Sequence, residues 1–267
     1  MKRPPRPIRL VALDLDGTTL NPSHELNQGT IEVVRRVAAQ GVKIVLASGR
    51  LPHSVSVFAR QLNLPGVHIG LNGGVSFHLD GELRHKHLLT VEQLTQVHRY
   101  LEARQRFPLV FGVGGLWATQ AAPDLDFLHR SGEPAPQWYH KDHLEAIIDP
   151  AKVVIVMGPG SEDKVLAADL EPGIHVVRSG PLFLEFMPPG VTTGATLAEY
   201  IADLGISKDE VMAVGDSEND ASLFAAAGFS IAMGNAVSAL RAKADAVTDT
   251  NEKDGVARAL ERFILDQ

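Results

Sequence analysis

Short apolar runs that stop abruptly at acidic or glycine residues alternate with stretches of helical spacing at both ends of the chain. Residues 8–13 (IRLVAL) end at Asp14, residues 42–47 (VKIVLA) at Ser48, and residues 210–215 (EVMAVG) at Asp216. Runs of this length, bounded by turn residues, predict strands covered on both faces. Between the first two, residues 30–40 (TIEVVRRVAAQ) carry apolar side chains at helical spacing, with Gly41 where a helix C-cap belongs. Pro52 can open the next helix, and residues 67–71 (VHIGL) predict a third strand. This β-α-β-α-β alternation predicts a parallel sheet with right-handed crossovers, and so an α/β fold.

The middle of the chain has a different texture. Residues 75–79 and 82–88 flank Asp80-Gly81 and predict a hairpin, and Thr90 with Gln93 reads as a capping box before a helix to about residue 105. Short strands follow at 108–112, 116–120, 152–157 and 174–178, with helices near 124–130, 142–148 and 161–170 and a proline-rich loop over 121–142. The alternating pattern then resumes, with helices at 194–204, 218–227, 236–243 and 253–265 and strands at 210–215 and 229–233. The reading is a discontinuous core, 1–83 and 184–267, interrupted by an inserted α+β domain over 84–183.

Composition narrows the function classes. With 25 Lys and Arg against 32 Asp and Glu, the net charge of −7 argues against bulk attraction to nucleic acid or an anionic membrane. No run of about 18 apolar residues exists to span a bilayer, and the basic N-terminus does not read as a signal peptide. The absence of cysteine excludes disulfides, thiolate nucleophiles and Cys-bound metals, and allows a reducing cytoplasmic setting.

The chemistry sits at the ends of the predicted strands, where an open parallel sheet presents its ligand crevice. Asp14-Leu15-Asp16-Gly17 puts two carboxylates where the first strand breaks, a pattern suited to a hard cation and to attack on phosphorus, though equally to a polar turn. Ser48-Gly49-Arg50 offers a hydroxyl and backbone N–H groups that can cradle a phosphate; alone it is an ordinary turn. Gly215-Asp216-Ser217-Glu218-Asn219-Asp220 crowds three carboxylates into five residues, which is costly without a cation unless they merely cap an exposed helix.

Taken together, in this order and at these strand ends, the three motifs resemble the signature of the haloacid dehalogenase superfamily. Leu71-Asn72-Gly73-Gly74, Glu185 to Gly190, Ala232 to Ala236 and Asn251 to Val256 make the chain similar to the Cof-type, subclass IIB phosphatases. The resemblance runs from residue 9 to 264 and is weakest between about 90 and 175. It implies a Rossmann-like core with a cap that closes over the strand ends, and a magnesium-dependent phosphatase working through an aspartyl-phosphate. Asp14 would be the nucleophile and Asp16 the general acid and base. The Asp14 carboxylate, the Asp16 backbone carbonyl, Asp216 and Asp220 would hold Mg²⁺. Ser48, Gly49 and Asn219 would serve the phosphoryl group, with Arg50 and Asn72 bordering the pocket. The partner implied is a small phosphorylated metabolite, such as a sugar phosphate or phosphorylated cofactor, handled by a monomer or small homo-oligomer.

One position departs from the resemblance. Residues 190–194 read Gly-Val-Thr-Thr-Gly, so Thr193 stands where the family has a lysine that bridges nucleophile and phosphoryl group. Loss of one such donor costs about 10²–10³ in rate. Arg50 and Arg178 are the first candidates to supply the cation, ahead of Lys152, Lys164 and Lys253. The alternatives are a phosphate-binding or regulatory protein with weak turnover, or a phosphomutase-like phosphotransferase.

Overall fold

The computed structural model describes residues 2–119, 125, 128, 132–157, 170, 173–179 and 183–266. Five consecutive buried residues make Leu10–Asp14 (β1) the centre of the first sheet. The chain continues through α1 (Gln28–Ala39), β2 (Lys43–Ala47), α2 (Pro52–Gln61), β3 (His68–Gly70) and the hairpin of β4 (Val75–Phe77) and β5 (Leu83–Lys86). Next come α3 (Val91–Glu102), β6 (Leu109–Gly112), β7 (Gly115–Ala118), β8 (Gln137–Trp138), β9 (Pro150–Val156), β10 (His175–Ser179) and β11 (Phe183–Met187). The last stretch holds α4 (Thr193–Asp203), β12 (Val211–Gly215), α5 (Ala221–Ala226), β13 (Phe229–Ala232), α6 (Ser238–Arg241), β14 (Ala246–Val247) and α7 (Gly255–Leu260).

The first sheet runs β14-β13-β12-β1-β2-β3-β4-β5, parallel from β14 to β3, with the antiparallel hairpin at one edge. Because β1 lies between β2 and β12, the strand order reverses there, and the loops leaving these three strands diverge at one switch point. The second sheet, β10-β11-β9-β6-β7-β8, is antiparallel apart from β7 with β8. One of its faces packs Val110, Val153, Ile155 and Phe186 against Leu94, Val97 and Leu101 of α3, whose start is the capping box of Thr90 and Gln93. Its other face, with Phe111 and Val154, joins the core of the first sheet.

The expected α/β class with a parallel sheet is what the strands form. Among the described residues several details differ from expectation. Residues 142–148 hold only a 3-10 turn, Leu144–Ala146, with Leu144 and Ile147 buried against the second sheet's core. Phe183–Met187 is a strand, although Glu185 interrupts its apolar run, because β9 and β10 pair with it on both sides. The hairpin strand Leu83–Lys86 pairs within the first sheet. The helices expected near 124–130 and 161–170 lie largely outside the described residues.

A buried histidine helps lock β2 to β3. Leu46 N–H donates to His68 Nδ1 at 3.2 Å, so Nε2 carries the proton and donates to Leu64 O at 3.1 Å. Only neutral imidazole satisfies both, and burial drives its pKa down to about 4. Below pH 6.5 the unfolded chain takes up a proton that the folded one refuses until about pH 4, so this contribution to stability is lost as pH falls through that window. The full difference is about 3 kcal/mol. The stability gap between wild type and His68→Asn, measured by thermal melting, is therefore expected to narrow as pH falls from 6.5 to 4. A constant gap would show that the ring is not held neutral.

Candidate active site

The carboxyl ends of β12, β1 and β2 bring the three motifs to one place. Asp14 is the last residue of β1 and Ser48 directly follows β2, while Asp216 directly follows β12. Gly17 is left-handed, at φ +79°, and a Cβ there would collide with the Asp216 carboxylate, so only glycine lets the first turn pass so close to the third motif. Thr18 Oγ1 donates to Asp216 Oδ1 at 3.3 Å, tying the two loops together.

Asp14, Asp216 and Asp220 each place a carboxylate oxygen within 4.8 Å of the others. Burial first, then the repulsion of Asp220, Asp216 and Asp16, holds the Asp14 pKa well above the usual carboxylate range. Burial and then Asp220 push Asp216 up to about 7. Burial pushes Asp220 up to about 6, against the backbone N–H groups of Ser217 and Asp216, which donate to its Oδ2 at 3.0 and 2.9 Å. An all-oxygen donor set, two of its three carboxylates buried, that resists ionising without a counter-charge fits a hard divalent cation.

Asp16 has the opposite environment. Burial alone would raise its pKa, but Arg50 and then His24 outweigh it and hold the carboxyl below its usual value. Arg50 donates through Nε at 2.7 Å and Nη2 at 2.6 Å, and His24 Nδ1 lies 3.0 Å away. The Asp16 carboxylate thus belongs to an ion pair rather than to the acidic cluster, which leaves its backbone carbonyl as the metal donor the resemblance implies.

Ser48 is buried and its Oγ accepts from Arg50 N at 3.3 Å. Leu71 and Asn72 are both left-handed, at φ +57° and +55°, and are pinned by Leu71 N to Arg50 O and Asn72 N to Ser48 O. Non-glycine residues held in this region cost about 1–3 kcal/mol each and cluster where a site needs them. The strain turns the Asn72 side chain into the cavity, where its Nδ2 donates to Glu185 Oε2. Asn219 lines the same cavity, its Oδ1 accepting from Ser217 Oγ.

The cavity, about 490 Å³, lies between these loops and the face of the second sheet that carries Phe111, Lys152 and Val154. Asp14, Asp16, Ser48, Gly49, Arg50, Asn72, Asp216 and Asn219 all line it. Thr193 and Arg178 do not. They line a neighbouring space of about 350 Å³ that shares only Asn72 and Asn219 with it. Thr193 Oγ1 lies 3.1 Å from Ser222 Oγ, and Arg178 pairs in register with Leu184, whose side chain faces α3 rather than the cavity. Among the candidate replacement cations, Arg50 is bound to Asp16, Lys253 lies outside the cavity and Lys164 outside the described residues. Lys152, ranked behind the arginines from sequence, is in the cavity wall, 3% exposed and 3.0 Å from Glu185 Oε2. Glu133, His24 and Glu185 are further wall residues that sequence reasoning missed. For Lys152 and Glu185 a signal existed: each is a lone charge inside an apolar strand run, which requires a buried partner.

Comparison with known proteins agrees with this geometry. A family model described as haloacid dehalogenase-like hydrolase matches residues 11–260. The 5-amino-6-(5-phospho-D-ribitylamino)uracil phosphatase YcsE of Bacillus subtilis is 26% identical over 97% of this chain and 96% of its own length. The crystal structure of a haloacid dehalogenase-like hydrolase from Bacteroides thetaiotaomicron superposes with a TM-score of 0.85 at 29% identity, covering 96% of this chain and 99% of that one. The subclass IIB sugar phosphatase BT4131 shares the fold, with a TM-score of 0.83 at 23% identity over 96% of this chain and 98% of its own. With the family model spanning nearly its whole length and the motif residues gathered in one cavity, the chain belongs to the haloacid dehalogenase-like hydrolases.

Proposed function

We propose that this hydrolase is a magnesium-dependent phosphatase that transfers the phosphoryl group of a small phosphomonoester to Asp14 and then to water. The observation that carries the reading is the clustered triad of buried Asp14, half-buried Asp216 and buried Asp220 beside the Ser48-Gly49 turn. Asp14, Asp216, Asp220 and the Asp16 carbonyl would hold Mg²⁺, which when bound offsets the repulsion between a carboxylate and a phosphate dianion. Asp14 presents its carboxylate at the strand end, while the Ser48 hydroxyl and the Gly49 N–H receive phosphoryl oxygens. Asp16, ionised against Arg50, has the state of a base that accepts a proton from the hydrolytic water. To act as the acid for the leaving group it must take up a proton and loosen from Arg50.

The second sheet is the cap in this reading, and sheet membership supports setting its limits nearer residues 87 and 187 than 84 and 183. Curated relatives such as the B. subtilis enzyme support a phosphorylated metabolite of cofactor or sugar type as substrate. A binder without turnover is disfavoured by Asp16, whose paired and tuned carboxylate has no part in mere binding. A panel of phosphomonoesters assayed with Mg²⁺ and with EDTA tests the proposal. Chelator-sensitive release of phosphate is expected, and tight binding without release would contradict it.

Two variants test the assignment. Asp14→Asn is nearly isosteric, yet is expected to lower turnover by at least about 10³-fold with the fold intact by circular dichroism. Retention of more than about a tenth of the rate, a barrier change under about 1.4 kcal/mol, would remove Asp14 from the role.

Asp216→Asn tests the metal. The folded pKa of Asp216 exceeds its unfolded value, so without divalent cation its burial destabilises the protein increasingly from about pH 4 to about pH 7. Metal-free Asp216→Asn should therefore melt above wild type at pH 7.5 and lose that advantage near pH 4. Mg²⁺ should raise the melting temperature of wild type and leave the variant little changed. Equal Mg²⁺ responses would place the metal elsewhere.

A further inference from the structure

The cavity is short of available positive charge. Asp14, Asp16, Glu133, Glu185 and Asp216 all contribute to its wall. A phosphate entering it adds more negative charge than one divalent ion offsets. Of the basic side chains among its described lining residues, Arg50 and His24 are both engaged by Asp16. The third is Lys152.

Lys152 sits inside β9 of the second sheet, with Phe111 opposite it and that ring's centroid 5.1 Å from Nζ. Its ion pair with Glu185 is almost wholly buried, both side chains being 4% exposed. Two buried charges add little to stability that a pair of apolar side chains would not supply as well. Their position gives a better account of them. The Glu185 oxygen that accepts from Lys152 also accepts from Asn72, whose amide oxygen packs so tightly on Gly49 that a Cβ there would lie 2.6 Å away. The ammonium is therefore linked, through one carboxylate and one amide, to the Ser48-Gly49 turn that lines the cavity. An ammonium has three N–H groups and Glu185 takes one, so donors remain for an anion in the cavity.

We propose that Lys152 is the cation that grips the substrate's phosphoryl group from the second sheet, with Glu185 and Asn72 positioning it. This rests on the phosphatase reading of the same cavity. A charge that arrives from the cap side would also make phosphate binding depend on that sheet lying over the strand ends, so that the phosphoryl site is complete only when the cap is in place.

The test separates charge donation from mere neutralisation of Glu185. Lys152→Met, Glu185→Gln and the double variant are compared for inorganic phosphate affinity by calorimetry at saturating Mg²⁺. kcat/KM is measured on a phosphomonoester that wild type hydrolyses. Lys152→Met and the double variant are both expected to lose about 10²-fold in kcat/KM and to bind phosphate at least about 10-fold more weakly. Glu185→Gln removes the positioning carboxylate but keeps the ammonium, so it should weaken phosphate binding and kcat/KM less than Lys152→Met does, and the Mg²⁺ requirement should not change in any of the three. The double variant leaves no unpaired buried charge, so it remains informative if Lys152→Met alone unfolds. Recovery of wild-type phosphate affinity in the double variant would overturn the proposal, as would a folded Lys152→Met that binds phosphate normally. The calorimetric arm needs no turnover, so a chain that hydrolyses no phosphomonoester would sink the phosphatase reading while still deciding the role of Lys152.

Discussion

Carboxylates packed together out of water cannot all carry charge unless a cation sits among them, and this constraint organises the molecule around the ends of β1 and β12. Burial would neutralise Asp14, Asp216 and Asp220 by raising their pKa values. The chain nevertheless commits a good deal of local structure to keeping them together. A left-handed glycine gives the Asp216 carboxylate room, two backbone N–H groups orient Asp220, and Thr18 bridges the loops. Charge repulsion in the free protein is the counterpart of affinity for the cation and for the anion it brings.

Asp16, two residues from Asp14, shows how finely neighbouring carboxyls are separated by environment. Asp14 points into the acidic cluster and is pushed towards the neutral form, while Asp16 points at Arg50 and His24 and is held ionised. Two carboxyl groups with opposed tendencies, one turn apart, suit a nucleophile that needs a metal and a proton carrier that does not. The second sheet completes the cavity with a mixed surface. Phe111, Val154 and Phe183 exclude water, and the Lys152–Glu185 pair reaches through Asn72 to the turn after β2. Glu133 adds a second tie, its carboxylate accepting from Ser54 Oγ at 2.9 Å and Leu51 N at 3.3 Å at the start of α2.

The parts of the fold that rest on local pattern were legible in the sequence. The apolar runs before Asp14, Ser48 and Asp216 became the three adjacent strands, and the Thr90–Gln93 capping box starts α3 as expected. What depends on register between distant segments was not legible. Arg178 pairs in register with Leu184 and lines the neighbouring space, a placement that no spacing in the sequence shows. Lys152 ranks behind the two arginines in the sequence, and only the meeting of β9 and β11 puts it beside Glu185. The pairing of Asp16 with Arg50 spans 34 residues and two strands, and no spacing rule reaches that far.

A phosphatase of this kind must pass its phosphoryl group through Asp14. Rapid acid quenching of the Mg²⁺-loaded wild type during turnover, followed by mass spectrometry of the peptide carrying residues 10–20, measures this directly. A covalent phosphate on Asp14 that forms only with Mg²⁺ and vanishes on a metal-free control is the predicted result. Steady release of phosphate with Asp14 never modified, or with the phosphate on another side chain, would contradict it.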